Sequence, residues 1–217
     1  MFHHYFVQPF IDALQFTAGL VNDNYGLAIV FITLAVRLVL MPLMLKSYKS
    51  SQSTRRKMEG LKPELSDIQQ RMKNTDDKEE KVKLQSDMMA LYQKHGVNPM
   101  QMGCLPMLIQ MPLFIGLYYA IRSSEEIATH SFLWFDLGQT DVALALLAAA
   151  VYFIQSRLSM TQMPVEQQGM VKMMSWISPV MIGLLSLNAP SALPLYWATG
   201  GLFLILQTYL SKKLYQE

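Results

Sequence analysis

The sequence predicts an all-α, polytopic membrane protein: five transmembrane helices around a hydrophilic groove, an N-terminal interfacial amphipathic helix and a cytoplasmic helical hairpin. Three observations predict it. Of 217 residues, 52% are hydrophobic and only 16% charged, against about 25% charged in an ordinary globular protein. The apolar residues gather into stretches near the ~20 residues that a bilayer core requires. The charges are segregated: residues 46–98 hold 12 of the 18 Lys and Arg and 8 of the 16 acids, whereas 123–141 hold four acids and no base. The single cysteine, Cys104, excludes an internal disulfide framework and a Cys-cluster metal site.

Residues 1–22 are too polar to span. Phe6, Phe10, Leu14 and Val21 recur near helical spacing, with Ile11 beside them. They predict an amphipathic helix lying at the outer interface. The first span is 23–46. Residues 47–99 predict a soluble helical hairpin. Met58, Leu61, Leu65, Ile68 and Met72 repeat at three and four. Asp76 with Glu79 forms a plausible cap for the second helix. Val82, Gln85, Met89 and Tyr92 are expected to continue one face, and Gly96 then Pro99 to end it. The other spans are 103–122, 142–160, 173–188 and 193–211. The fourth is interrupted by Pro179 and closely followed by Pro190 and Pro194, so 174–210 also fits one bent or partly re-entrant hairpin.

Orientation follows the Lys and Arg asymmetry. The basic 47–99 hairpin, the 161–172 loop and the 212–217 tail, with Lys212 and Lys213, are expected inside; the acidic 123–141 loop and the N-terminus are expected outside. No signal peptide precedes the N-outside segment, so the sequence is expected to be a mature or trimmed form. The hairpin's charges suit a solvated surface; the functional alternative is a basic arm near anionic headgroups or the ribosome.

Arg37 lies inside the first span. A charge there costs roughly 2.5–3.5 kcal/mol on insertion scales. No Asp or Glu falls inside any predicted span, and arginine does not deprotonate. Water, polar side chains, backbone carbonyls or a group from outside the chain must stabilise it. Thr33 is one turn earlier on the same face. Gln110 and Gln155 sit in the second and third spans, and Tyr196, Gly200, Phe203 and Gln207 share a stripe of the fifth. A lone Gln is more often interhelical glue, but Gln in three spans beside a Thr–Arg turn points to a shared hydrated groove. The alternative is an Arg37 that snorkels to the inner surface, only nine residues before Lys46.

Thirteen methionines lie near the inner ends of the spans and in the hairpin region: Met41, Met44, Met88, Met89, Met100, Met102, Met107, Met111, Met160, Met163, Met170, Met173 and Met174. Singly they read as membrane packing. Together they suggest a surface that accepts varied hydrophobic segments, because thioethers are flexible and polarizable. There is no P-loop, Gly-rich dinucleotide motif or HExxH, and all four histidines fall outside the spans. The chain is therefore expected to be no enzyme and to need no cofactor or metal.

Several segments carry a resemblance: AVRLVLMPL at 35–43, MMALYQKHGVNP at 88–99, GCLPMLIQMPLFIGLYYAI at 103–121, FIQ at 153–155 and ALPLYWATGGLFLILQTYL at 192–210. In this order they resemble the YidC/Oxa/Alb family of membrane protein insertases, in its Gram-positive bacterial form. The resemblance implies five core helices around a groove open to the cytoplasm and to lipid, and a bacterial plasma-membrane location. It implies that Arg37 is the groove arginine, with Thr33, Gln155, Tyr196 and Gln207 at groove or substrate-contacting positions. The expected partners are nascent membrane proteins and the lipid bilayer, with the ribosome and the Sec translocon as further candidates. A functional monomer is expected, without nucleotide or nucleic-acid readout. The additional periplasmic domain of Gram-negative members is not in this sequence, nor is an N-terminal lipid-modified cysteine, again as expected of a trimmed form. Two other functions fit the residues: a small channel or carrier for an anionic solute, and an assembly factor that only scaffolds its partners.

Overall fold

A computed structural model describes the backbone of residues 7–96, 104–160 and 168–215, with side chains except at 51, 55, 104–110, 168–174 and 215. The described residues are mostly helical: α1 (Gln8–Gly19), α2 (Tyr25–Gly60), α3 (Lys62–Asn74), α4 (Lys78–Lys94), α5 (Cys104–Ser123), α6 (Glu125–Ala128), α7 (Val142–Met160), α8 (Gln168–Ser186) and α9 (Ala192–Tyr215). A small antiparallel hairpin, β1 (Ser131–Phe132) and β2 (Phe135–Asp136), interrupts the all-α pattern between α6 and α7.

Asn22 and Asp23 take positive φ, a conformation that short polar side chains tolerate, and turn the chain out of α1. The Asn24 side chain then accepts from the Leu27 amide at 2.9 Å and caps α2. α2 runs for 36 residues without a break, about 54 Å at the helical rise. Its apolar first half is long enough to cross a bilayer and its second half carries the basic cluster. The predicted boundary at 46 is therefore a change from apolar to basic composition within one helix, not the end of a helix. α2 and α7 are the two helices long and apolar enough to cross a membrane among the described residues; α8 contributes a shorter apolar stretch, Ser175–Ser186.

The helices assemble around α9, which packs against α2 on one side and α7 on the other; α8 stacks on the outer side of α7, and α1 lies against α2 and α5. α8 continues through Pro179 to Ser186, and the turn at 187–191 separates it from α9. α8 and α9 are thus two helices joined by a short turn. Ser156 of α7 donates to the Ser175 carbonyl of α8 at 3.1 Å, a polar contact of the sort that joins helices in lipid. Phe114 of α5 stacks on Trp197 of α9, with centroids 5.6 Å apart and planes 8° from parallel.

α3 and α4 form an antiparallel pair whose core also takes the end of α2. Met58, Leu61, Leu65, Leu91 and Tyr92 are buried together, with Ile68 and Met88 packed against them. The predicted first face lies largely in that cluster. The predicted second face does so only at Tyr92: Val82 is 67% and Met89 45% exposed, and Leu84 and Leu91 are buried instead. α4 turns by part of a helical step because Leu84, Met88 and Leu91 form the more apolar of two overlapping stripes. The cap also shifts by one residue. Asp77, not Asp76, accepts from the Glu79 amide at 3.0 Å, and Thr75 donates to Glu80 at 2.5 Å.

The acidic loop is ordered by apolar contacts beneath its charges. Ile127, Phe135 and Leu137 are buried, and Phe132 lies on Gly26 so closely that no side chain fits there. Glu126 accepts from Gln15 of α1 at 3.5 Å and from the Tyr25 hydroxyl at the start of α2.

Candidate functional site

Two polar residues one turn apart on α2 face two residues one turn apart on α9. Thr33 is buried, and its hydroxyl donates to the Ile29 carbonyl of its own helix at 2.6 Å. That bond satisfies the donor and leaves acceptor capacity toward the cavity. Arg37 follows, half-buried, about 18 Å along the axis from the start of α2. Opposite stand Tyr196, buried, and Gly200.

Gly200 is what allows the guanidinium to lie on α9. A Cβ at this position would sit 3.0 Å from Nη2 and 3.4 Å from Nε of Arg37. The neighbouring Gly201 serves an adjacent side of the same helix: a Cβ there would stand 2.6 Å from Cγ1 of Val151 and 3.4 Å from Cε2 of Tyr152 on α7. Adjacent glycines thus bring α9 close to α2 and α7 at one level, as small residues do in membrane helix packing. Tyr152 is near enough to interact electrostatically with Arg37.

A cavity opens where α1, α2, α5 and α9 meet. Thr33, Arg37 and Tyr196 line it among apolar neighbours, including Phe10 and Leu14 of α1 and Leu117 of α5. Its water-sized space is about 40 Å³, enough for about three waters. Phe10 covers it from α1 and rests on Gly116 of α5 with no room for a side chain between them.

Of the six residues expected at a groove, the structure brings Thr33, Arg37 and Tyr196 to this cavity. Gln207 is buried two to three turns further along α9, where its carbonyl accepts from Ser211 at 2.7 Å. Gln155 is on α7, half-buried, donating to Ser159 at 3.1 Å; neither lines the cavity. The backbone of Gln110 is in α5 and its side chain is outside the described residues. Among the methionines, Met41, Met44, Met88 and Met160 are half-buried and Met89 and Met111 exposed; the side chains of the other seven lie outside the described residues. Gly201, Tyr152 and Phe10 were not picked out as site residues. The Gly200–Gly201 pair inside an apolar span was the signal available for the first.

The family described as "60Kd inner membrane protein" matches residues 16–217. The chain belongs to this family, the YidC/Oxa/Alb insertases. It is 50% identical over 216 residues to "Membrane protein insertase YidC 2" of Listeria monocytogenes serotype 4b (strain F2365), covering 100% of this chain and 78% of that protein. It is 48% identical over 215 residues to "Membrane protein insertase MisCB" of Bacillus subtilis (strain 168), covering 95% and 78%. With "Membrane protein insertase YidC" of Staphylococcus aureus (strain Newman) the identity is 41% over 222 residues, covering 100% and 77%.

Proposed function

We infer that this chain is a membrane protein insertase, in which the cavity between α1, α2, α5 and α9 is the closed form of a hydrated groove. The observation that carries the reading is the convergence of Thr33, Arg37 and Tyr196 on one cavity about half-way along the apolar part of α2. In this reading α2, α5, α7, α8 and α9 are the five spans, with the α3–α4 hairpin and the C-terminus in the cytoplasm and the acidic loop outside. α1 lies at the outer interface, closing the cavity through Phe10.

Water admitted from the cytoplasm shortens the hydrophobic path that a polar segment must cross. A cation held in a low-dielectric site attracts a carboxylate far more strongly than it would in water. Arg37 therefore holds the polar or acidic tail of a nascent membrane protein in transit. A space for about three waters does not admit a chain, so α5 or α1 must part from α2 and α9 first. The substrate's apolar segment then partitions into lipid along Met- and aromatic-lined surfaces, driven by hydrophobic transfer and by the membrane potential, about 2.3 kcal/mol per charge per 100 mV. Gln155 and Gln207, further along α7 and α9, extend the polar path toward the cytoplasm. The chain acts as a monomer, with the ribosome and the Sec translocon as suppliers of substrate, and uses no nucleotide.

The test is Arg37→Ala reconstituted in liposomes with a single-span substrate bearing an acidic tail. Insertion should fall at least about tenfold, equivalent to about 1.4 kcal/mol of lost binding, while a neutral-tailed substrate loses less. Equal insertion of both substrates by the variant and the parent would sink the role of Arg37. Anion flux without insertion would favour a carrier instead.

A further inference from the structure

The two-residue turn between β1 and β2 is built against ordinary turn chemistry. Ser131 pairs with Asp136 and Phe132 with Phe135, leaving Leu133 and Trp134 as the turn. Leu133 has φ +56°, a conformation that hairpin turns usually give to Gly or Asn. A bulky apolar residue there is strained, and strain of this kind persists where the surroundings enforce it and often marks a functional segment. Here the side chains held out are apolar: Leu133 is 74% and Trp134 59% exposed.

The tip is fixed in place. Phe132, beside it, is seated on Gly26 at the start of α2. Phe135 is buried and meets the Trp134 ring edge-on at 5.4 Å. The Trp134 indole donates to Asp141 at 3.4 Å, and the same carboxylate accepts from the Leu144 amide at 2.6 Å, capping α7. The tip is thus tied to the first turns of two helices that enter the apolar region, level with the exposed Val142. Exposed apolar side chains recur at Phe16 of α1 and at Leu20 just past its end.

We propose that the Leu133–Trp134 tip is a lipid anchor seated in the interfacial zone of the outer leaflet, with the phospholipid glycerol and upper acyl region as its partner. The inference rests on the topological reading above, which puts this loop outside. Trp suits that zone, where an apolar body meets lipid and an N–H meets a polar group. Leu133 supplies a wedge into the acyl region. The surrounding acids, Glu125, Glu126, Asp136 and Asp141, favour the aqueous side, so the tip is the part of the loop that lipid can take. Through Phe132 on Gly26, the anchored tip holds the outer end of α2, the helix that carries Thr33 and Arg37.

The experiment uses the full chain in phosphatidylcholine–phosphatidylglycerol vesicles containing lipids brominated at shallow or deep acyl positions. Trp134 is isolated as the fluorescence difference between the parent and Trp134→Phe, which avoids altering Trp176 and Trp197. Shallow bromines should quench this component at least twice as strongly as deep ones, and aqueous iodide should quench it weakly. Leu133→Asp should at least halve the bromine quenching while leaving the far-ultraviolet circular dichroism unchanged. A Trp134 component quenched by iodide and not by bromolipid overturns the anchor. Sidedness is read separately, from an impermeant maleimide on Thr140→Cys in a Cys104→Ser background in intact cells. Labelling from outside supports the topology, whereas labelling only from the cytoplasmic face overturns the topology and the outer-leaflet assignment together.

Discussion

The helical bundle and the α3–α4 hairpin are held together by different physics. The hairpin buries a compact cluster around Leu65 and Met58, and water on its outside makes that burial favourable at about 25 cal/mol per Å². The bundle exposes Leu38, Val39, Leu146, Leu202 and Leu206 to its surroundings. In lipid those residues lose nothing by exposure, so apolar area does not decide which helices meet. Close fit decides it: Gly201 against Val151, Ser156 on the Ser175 carbonyl, Phe114 on Trp197. The hairpin should be sensitive to lost methyl groups, and the bundle to added ones.

The largest stability effect should come from shrinking the hairpin core. Leu65→Ala removes a fully buried side chain and should destabilise the hairpin by about 2–5 kcal/mol. Hydrogen exchange should show α3 and α4 amides losing protection while α9 amides keep theirs; equal loss in both would mean that the two regions fold as one unit. Next comes overfilling the bundle. Gly201→Ala puts a methyl against the stiff, buried Val151 and should cost about 1–3 kcal/mol in detergent denaturation. Gly200→Ala sharpens the same comparison, because its methyl meets the mobile end of Arg37. Its stability change should stay under about 1 kcal/mol, while insertion of an acidic-tailed substrate falls measurably. A Gly200→Ala protein as unstable as Gly201→Ala would show that the guanidinium cannot yield.

Smaller effects test the hairpin's details. Asp77→Ala should cost about 1 kcal/mol by removing the α4 cap, and Asp76→Ala much less, as read by the exchange rates of the α4 amino-terminal amides. Val82→Ser, on the exposed side of α4, should stay within about 0.5 kcal/mol; a larger loss in the isolated full chain would mean that this side is covered.

The amino-acid sequence was informative where one solvent preference governs a segment. Apolar runs identify the bodies of α2, α7 and α9, and an arginine in such a run marks the cavity because its cost is high. It was less informative where two patterns overlap. α4 carries Val82 and Met89 on one side and Leu84, Met88 and Leu91 on another, and periodicity alone does not choose between them. Adjacent Asp76 and Asp77 differ only in which one the chain bends to present. The end of the first apolar run looked like a helix end because hydropathy reports the solvent and not the backbone. Gly200 and Gly201 act by what they leave empty, and a sequence does not show what approaches a glycine. Leu133 was unreadable for the opposite reason: it occupies a backbone conformation that its residue type opposes.

The unbroken length of α2 has a mechanical consequence. Arg37 and Met58 belong to one rod, about 31 Å apart along its axis, with one end beside the cavity and the other locked into the hairpin core. A stiff rod transmits torque. A load that tilted the hairpin end of such a rod would displace the cavity end in the opposite direction. Pro42 lies between them and removes a hydrogen bond from the ladder, so a bend in the rod would fall there first.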